Sequence, residues 1–115
     1  SDNIIKIGNI KFISKVLNNI SPNNLKGIVD NYLLKETNCI TALFSVDSKK
    51  ISLVVGVTNN LSHKINAIDL VKVGSSIFGG KGGGGRPTMA QSGGTDINAT
   101  QKTIDGLVTY IKNLD

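Results

Sequence analysis

Residues 10–47 read IKFISKVLNNISPNNLKGIVDNYLLKETNCITALFSVD, and the change of period within them decides the fold. Ile10-Lys11-Phe12-Ile13-Ser14-Lys15-Val16-Leu17 is a β-rich run. Ser21-Pro22 then supplies an N-cap and a first-turn proline, and Leu25, Ile28, Val29, Tyr32 and Leu33 recur at helical spacing. That predicts an amphipathic helix with one buried face. From Ile40 the period returns to two, with Ile40, Ala42, Phe44 and Val46 alternating against Thr41, Leu43 and Ser45. Strand, helix and strand in this order form a βαβ unit, which predicts parallel strands joined by a right-handed crossover.

Outward from that unit, Ile4-Ile5-Lys6-Ile7 precedes Gly8-Asn9, a pair suited to a tight hairpin turn, so the chain opens as two paired strands. Downstream, Asp47-Ser48-Lys49-Lys50 turns the chain into Ile51, Leu53, Val55 and Val57, a second hairpin. Ser62 is placed to cap a second helix carrying Ile65, Ile68, Val71 and Phe78. A third helix carries Ile97, Ile104, Leu107, Val108 and Ile111 from a cap at Thr95 or Asp96. The fold class expected is α/β (α+β): a mixed sheet from two hairpins joined by a βαβ crossover, helices packed on it, and a Gly-rich loop before the C-terminal helix.

The 115 residues suffice for one small domain, expected to span 1–115, with a core of Ile, Leu and Val. No stretch approaches the roughly 20 apolar residues of a membrane span, and no leader opens the chain, so a cytoplasmic protein without membrane contact is expected. The single cysteine, Cys39, cannot form an internal disulfide and favours a reducing compartment. One His, one Cys and scattered acids leave no metal constellation and no nucleophile–base arrangement, so neither a catalytic nor a metal site is expected here. A formal charge of +5 directs attention to a polyanionic partner. The start at Ser1, without Met, suggests a piece excised from a larger protein.

The run Gly79-Gly80-Lys81-Gly82-Gly83-Gly84-Gly85-Arg86-Pro87-Thr88-Met89-Ala90-Gln91-Ser92-Gly93-Gly94 holds eight of the thirteen glycines. It is not a plain linker, because Lys81, Arg86, Pro87, Met89 and Gln91 interrupt it. Gly80 to Gly85 satisfies GxGxxG trivially but follows a helix, which removes the dinucleotide reading, and Lys81 lacks the Ser or Thr that a P-loop needs after it. An anion-binding loop remains, in which Lys81 and Arg86 supply charge and Gly82, Gly83, Gly84 and Gly85 permit close approach. The bland alternative is a structural turn that packs a helix onto the sheet with Met89 and Ala90 buried, in which Pro87 and Met89 fix the run against the core.

Gly79-Gly80-Lys81 through Arg86-Pro87-x-Met89-Ala90-Gln91-x-Gly93-Gly94, together with TALFSVDSKKISLVVGVT and LSHKINAIDLVKVGSSIFGGKG upstream, resembles the C-terminal globular domain of alanyl-tRNA synthetases over about residues 4 to 112. The domain is shared with DHH-type phosphoesterases, whose glycine loop carries a His; here Arg86 and Pro87 follow the glycines, which favours the synthetase branch. Thr88 stands where an acid, usually Asp, is expected, and Ser92 where Gly or Ala is usual.

The resemblance implies a noncatalytic tRNA-binding module of an alanine–tRNA ligase that contacts the tRNA elbow while upstream domains aminoacylate and edit; Lys81 and Arg86 would then meet backbone phosphates, and Gln91 would hydrogen-bond a ribose or base edge. It implies tRNA for alanine and the other synthetase domains as partners, with ATP, Mg and Zn serving those upstream domains and no cofactor in this one. The helical segment that commonly precedes the domain and supports oligomerisation is not in the sequence, so a monomer is expected. The competing expectation is an architectural module with only generic nucleic-acid affinity.

Overall fold

The computed structural model describes residues 2–114. Strands β1 (Asn3–Ile7) and β2 (Ile10–Asn18) pair antiparallel through Gly8-Asn9, where Gly8 takes φ 59°, a left-handed value that glycine adopts without strain. Helix α1 (Pro22–Lys35) starts where the cap was read: Ser21 Oγ accepts from the Asn24 N–H at 3.2 Å. Past its end, the Lys11 ammonium meets the Glu36 carboxylate at 2.9 Å and ties the helix terminus to β2. Strand β3 (Cys39–Val46) then runs parallel to β2, from Lys11 opposite Cys39 to Asn18 opposite Val46.

Strand β4 (Ile51–Val57) returns antiparallel to β3. The Asp47 carboxylate closes the turn by accepting the N–H groups of Lys49 at 2.8 Å and Lys50 at 2.9 Å, bonds that hold its pKa below the usual carboxylate range. The two hairpins and the parallel crossover are as the sequence predicts.

Three downstream expectations are corrected. Helix α2 (Ala67–Phe78) is capped by Asn66, whose side chain accepts from the Ile68 N–H at 2.8 Å, while Ser62 sits in a preceding turn and donates to the Asn59 carbonyl at 2.9 Å. Ile65 is therefore buried ahead of the helix and not within it. Helix α3 (Thr100–Lys112) starts after Ala99, without a side-chain cap. Asp96 instead organises the turn before it, accepting from the Asn98 N–H at 3.2 Å, and leaves Ile97 outside the helix. Finally, the glycine run is not all loop: it forms a hairpin of β5 (Gly83–Arg86) and β6 (Met89–Gly94) across the turn Pro87-Thr88.

The six strands form one mixed sheet in the order β1-β2-β3-β4-β6-β5. On one face, Leu25 and Val29 of α1 bury against Leu43, Val54 and Met89. On the other, α2 and α3 bring Leu70, Val71, Phe78, Ile104 and Leu107 onto Phe12, Phe44, Leu53 and Val55. Because helices cover both faces, β4 is buried along its whole length and β3 over all but its last residue.

Candidate nucleic-acid interface

Much of the glycine run is a packing device. Gly79 ends α2 in a left-handed conformation at φ 78°, and the Gly80 N–H returns to the Ser75 carbonyl at 2.7 Å. Strand β5 then passes close against α2. A side chain at Gly83 would begin 2.9 Å from Val71 Cγ2 and 2.7 Å from the Gln91 carbonyl oxygen, so only bare backbone fits there. Ser92 adds a hydrogen bond to the same helix, its hydroxyl donating to the Val71 carbonyl at 2.8 Å.

The hairpin turn is tied down through its carbonyls. Pro87 O accepts from the Ala67 N–H and Thr88 O from the Val57 N–H, each at 2.9 Å, which couples the turn to the start of α2 and the end of β4. Met89 and Ala90 are buried, as the packing alternative required.

The two faces of this ribbon differ. Gly83 with Ser92, and Gly85 with Ala90, pair on the α2 side; Gly84 with Gln91, and Arg86 with Met89, pair on the side that carries α1. Met89 is buried under α1, but Gly84, Arg86 and Gln91 are exposed.

Between the first turns of α1 and the ribbon lies a groove of about 660 Å³, lined among others by Pro22, Lys26, Lys50, Lys81, Gly82, Gly83, Gly84 and Gln91. A second groove of about 430 Å³ lies farther along α1 and holds Arg86, Asp30, Leu33, Leu34, Thr88 and Met89. Of the residues the sequence pointed to, Lys81, Gly82, Gly83, Gly84 and Gln91 thus share one groove. Arg86 lines the other, and Gly85, at φ 147° and with its Cβ position 2.6 Å from Ala90 Cα, lines neither.

Lys26 and Lys50 escaped the sequence reading. The parallel crossover brings the end of β2, the start of α1 and the β3–β4 turn to one end of the sheet. Gly94 opposite Ile51 brings the end of β6 to the same place. Only that topology gathers Lys26, Lys50 and Lys81 from three separate segments. The local signals were slight: Lys26 lies in the early turns of α1, and Lys50 and Lys81 lie just ahead of β4 and β5.

No carboxylate lines the first groove, and its three lysines make no ion pair among the described residues. By contrast, Lys11 is engaged by Glu36 and Lys15 by Asp2, at 2.9 and 3.4 Å. The Asp47 carboxylate lines a neighbouring depression that shares Lys50 and is occupied by its own turn. The result is a positive groove with a floor of exposed backbone, fit to receive an anion.

The donor set does not fit the Zn or Mg that the resemblance assigns to other parts of a synthetase. Cys39 is fully buried with its thiol pKa pushed up to about 11 by that burial, and His63 lies in an exposed turn. Among the described residues no three His, Cys, Asp or Glu side chains gather as a metal site. Nor is any helix of the described residues long and apolar enough to cross a membrane.

The model of the DHHA1 domain matches residues 9–113, nearly the whole chain. The chain belongs to the DHHA1 domain family. Among curated DHHA1 relatives, the alanine–tRNA ligase of Paramagnetospirillum magneticum is 44% identical over 99 residues, which is 86% of this chain and 11% of that protein. The alanine–tRNA ligase of Sinorhizobium medicae is 39% identical over 107 residues, 92% of this chain and 12% of that protein. The chain therefore spans about a tenth of the length of these relatives.

Its fold is that of the C-Ala domain of Aquifex aeolicus alanyl-tRNA synthetase, with a TM-score of 0.91, 23% identity, and coverage of 96% of this chain and 99% of that one. A DHH-domain protein described as a member of the S1P family of ribosomal proteins shares the fold more loosely, with a TM-score of 0.68 and 16% identity over 99% of this chain and 28% of that one. The resemblance read from the glycine run and its upstream strands is therefore confirmed, and this DHHA1 chain is homologous to the C-terminal domain of alanyl-tRNA synthetases.

Proposed function

We propose that residues 1–115 are the tRNA-binding C-terminal domain of an alanine–tRNA ligase, a module that does no chemistry itself and grips the tRNA elbow on behalf of catalytic and editing domains in the same polypeptide. The observation that carries this reading is the uncovered face of the β5–β6 ribbon. Exposed glycine backbone lies there beside three lysines that make no ion pair among the described residues, with no carboxylate in the lining. A-form RNA conceals its bases in a deep, narrow groove, so a module that must hold one tRNA by its shape reads phosphates and 2′-hydroxyls. Bare backbone and flexible ammonium groups suit that surface. The partners are then tRNA for alanine and the remaining synthetase domains, the setting is the cytoplasm, and the isolated domain is a monomer. ATP, Mg and Zn belong to the upstream domains.

A second reading has a specific observation behind it. Gly80, Gly83, Gly85 and Gly94 are demanded by packing, so the run also serves as architecture, and a domain that merely braces its neighbours would need those glycines too. Salt-titrated binding to folded alanine tRNA, to another tRNA and to a simple RNA hairpin separates the two. Preference for both folded tRNAs over the hairpin, with affinity falling steeply as salt rises, supports elbow recognition. Equal weak binding to all three makes the domain architectural with generic charge.

A further inference from the structure

Gly84 is the one glycine of the run whose bareness the fold does not require. The other seven between residues 79 and 94 either take a positive φ or have a neighbour within 3.2 Å of the place where a side chain would begin. Gly84 has neither: its φ is ordinary, and a Cβ there would meet nothing within 4 Å. A glycine inside a strand costs about 0.5–1 kcal/mol relative to alanine and forfeits cross-strand packing, so a roomy strand position favours almost any other residue. The space that a side chain would fill is the first groove, which Gly84 lines with its partner Gln91. Gly27 also has room for a Cβ, but it lies on the exposed surface of α1 and lines neither groove.

Resting on the tRNA-binding reading above, we infer that this groove seats the sugar–phosphate backbone of the bound RNA, with Gly84 kept bare as the point of closest approach and Lys26 and Lys50 joining Lys81 in neutralising its phosphates. The three lysines come from α1, the β3–β4 turn and the segment before β5, so their ammonium groups reach the groove from separate segments of the chain. A chain of phosphates placed against the ribbon therefore meets positive charge from more than one element. The inference separates the roles within the glycine run: most of it holds α2 to the sheet, and Gly84 alone is reserved for the ligand.

The test compares the unaltered 115-residue chain with Gly84→Val, Gly84→Ala, Lys26→Gln, Lys50→Gln and, on the exposed surface of α3, Lys102→Gln. Affinity for folded alanine tRNA is measured across a salt series, beside thermal unfolding of each variant. Gly84→Val is expected to unfold no lower than the parent and to bind at least about tenfold more weakly, with Gly84→Ala intermediate. Lys26→Gln and Lys50→Gln should each flatten the log–log salt slope by about 0.7–0.9, the share of one phosphate contact, whereas Lys102→Gln should leave it unchanged. Full-strength binding by Gly84→Val, or a slope lost equally in Lys102→Gln, overturns the groove assignment. Should Gly84→Val fail to fold, Gly84→Ala and the lysine series decide. If the unaltered chain shows no salt-dependent preference for folded tRNA, the functional reading falls and the groove assignment with it; if it does and the variants behave like it, only the groove assignment falls.

Discussion

Thr41 on β3 faces Gly56 across the β3–β4 pair, and a side chain at Gly56 would begin 2.9 Å from the Thr41 hydroxyl oxygen. It would lie closer still to Val29 Cγ1 on α1, and 3.1 Å from Leu33 Cδ1. The helix that forms one wall of the positive groove thus docks onto bare backbone at Gly56. In Gly56→Ala the methyl must displace α1 or distort the sheet, because a close-packed interior has no slack to absorb it. The expected cost is about 2 kcal/mol, seen as a fall in Tm of roughly 10 °C. A Tm within about 1 °C of the parent would show that α1 is not seated in this way.

Thr41 itself carries an energetic cost. Its hydroxyl is fully buried and has no hydrogen-bond partner among the described residues. Thr41→Val keeps the branched shape and removes the orphaned polar group, so it should stabilise the chain by about 1 kcal/mol in denaturant unfolding. Loss of stability in this variant would mean that the hydroxyl is satisfied in solution.

Gly27 sits mid-helix in α1, exposed, with nothing within 4 Å of the place where a methyl group would stand. Alanine there reduces the backbone freedom of the unfolded chain and clashes with nothing. Gly27→Ala is expected to raise stability by about 0.5–1 kcal/mol while leaving RNA affinity unaltered. A destabilised variant would reveal an unrecognised contact on the outer surface of α1.

The fold was legible wherever a local period or turn residue determined the outcome. Ser21-Pro22 fixed the start of α1, Gly8-Asn9 the first hairpin, and the alternation from Ile40 to Val46 a strand that both helical layers bury. The failures share a physical cause. Gly83–Arg86 carries no strand propensity, and it becomes a strand because β6 supplies its hydrogen bonds, while α2 at Gly83 and β6 itself at Gly85 leave no room for a side chain. Similarly, Ser62 and Asp96 are good caps by type, but the turns that precede α2 and α3 use them instead. Lys26 and Lys50 belong to the groove through topology, which a one-dimensional pattern does not contain.

Alkaline pH should weaken the fold at one buried group, Cys39, and one half-buried group, Tyr32. Burial raises the Cys39 thiol from 9.0 to about 11. Burial, aided by the Asp2 carboxylate that accepts the Tyr32 hydroxyl at 2.6 Å, raises Tyr32 from 10.0 to about 12. Both folded values lie above the unfolded ones, so the folded chain holds these protons more tightly. The associated stability is complete below the unfolded values and disappears as pH climbs through the window from about 9 to 12. Denaturant midpoints should fall across that window, with Cys39→Ala flattening its lower part and Tyr32→Phe its upper part. A midpoint independent of pH up to about 11 would contradict both the burial of Cys39 and the Asp2 contact of Tyr32.

Arg86 sets how far the proposed RNA site extends. It lies on the same face of β5 as Gly84, two residues and roughly 7 Å along the strand, but in the second groove beside Leu33, Leu34 and Asp30. Its guanidinium has no ion-pair partner among the described residues, and Leu34 next to it is 84% exposed. A guanidinium plane beside apolar side chains is a surface onto which an unstacked base or a further phosphate can settle. If the RNA runs along the ribbon beyond the lysines, Arg86→Ala should lower affinity for folded tRNA about fivefold with Tm unchanged, because the side chain is exposed and supports no packing. Unchanged affinity would end the contact at Gln91, confine the RNA to the lysine groove, and leave Arg86 as a solvated charge at the edge of the sheet.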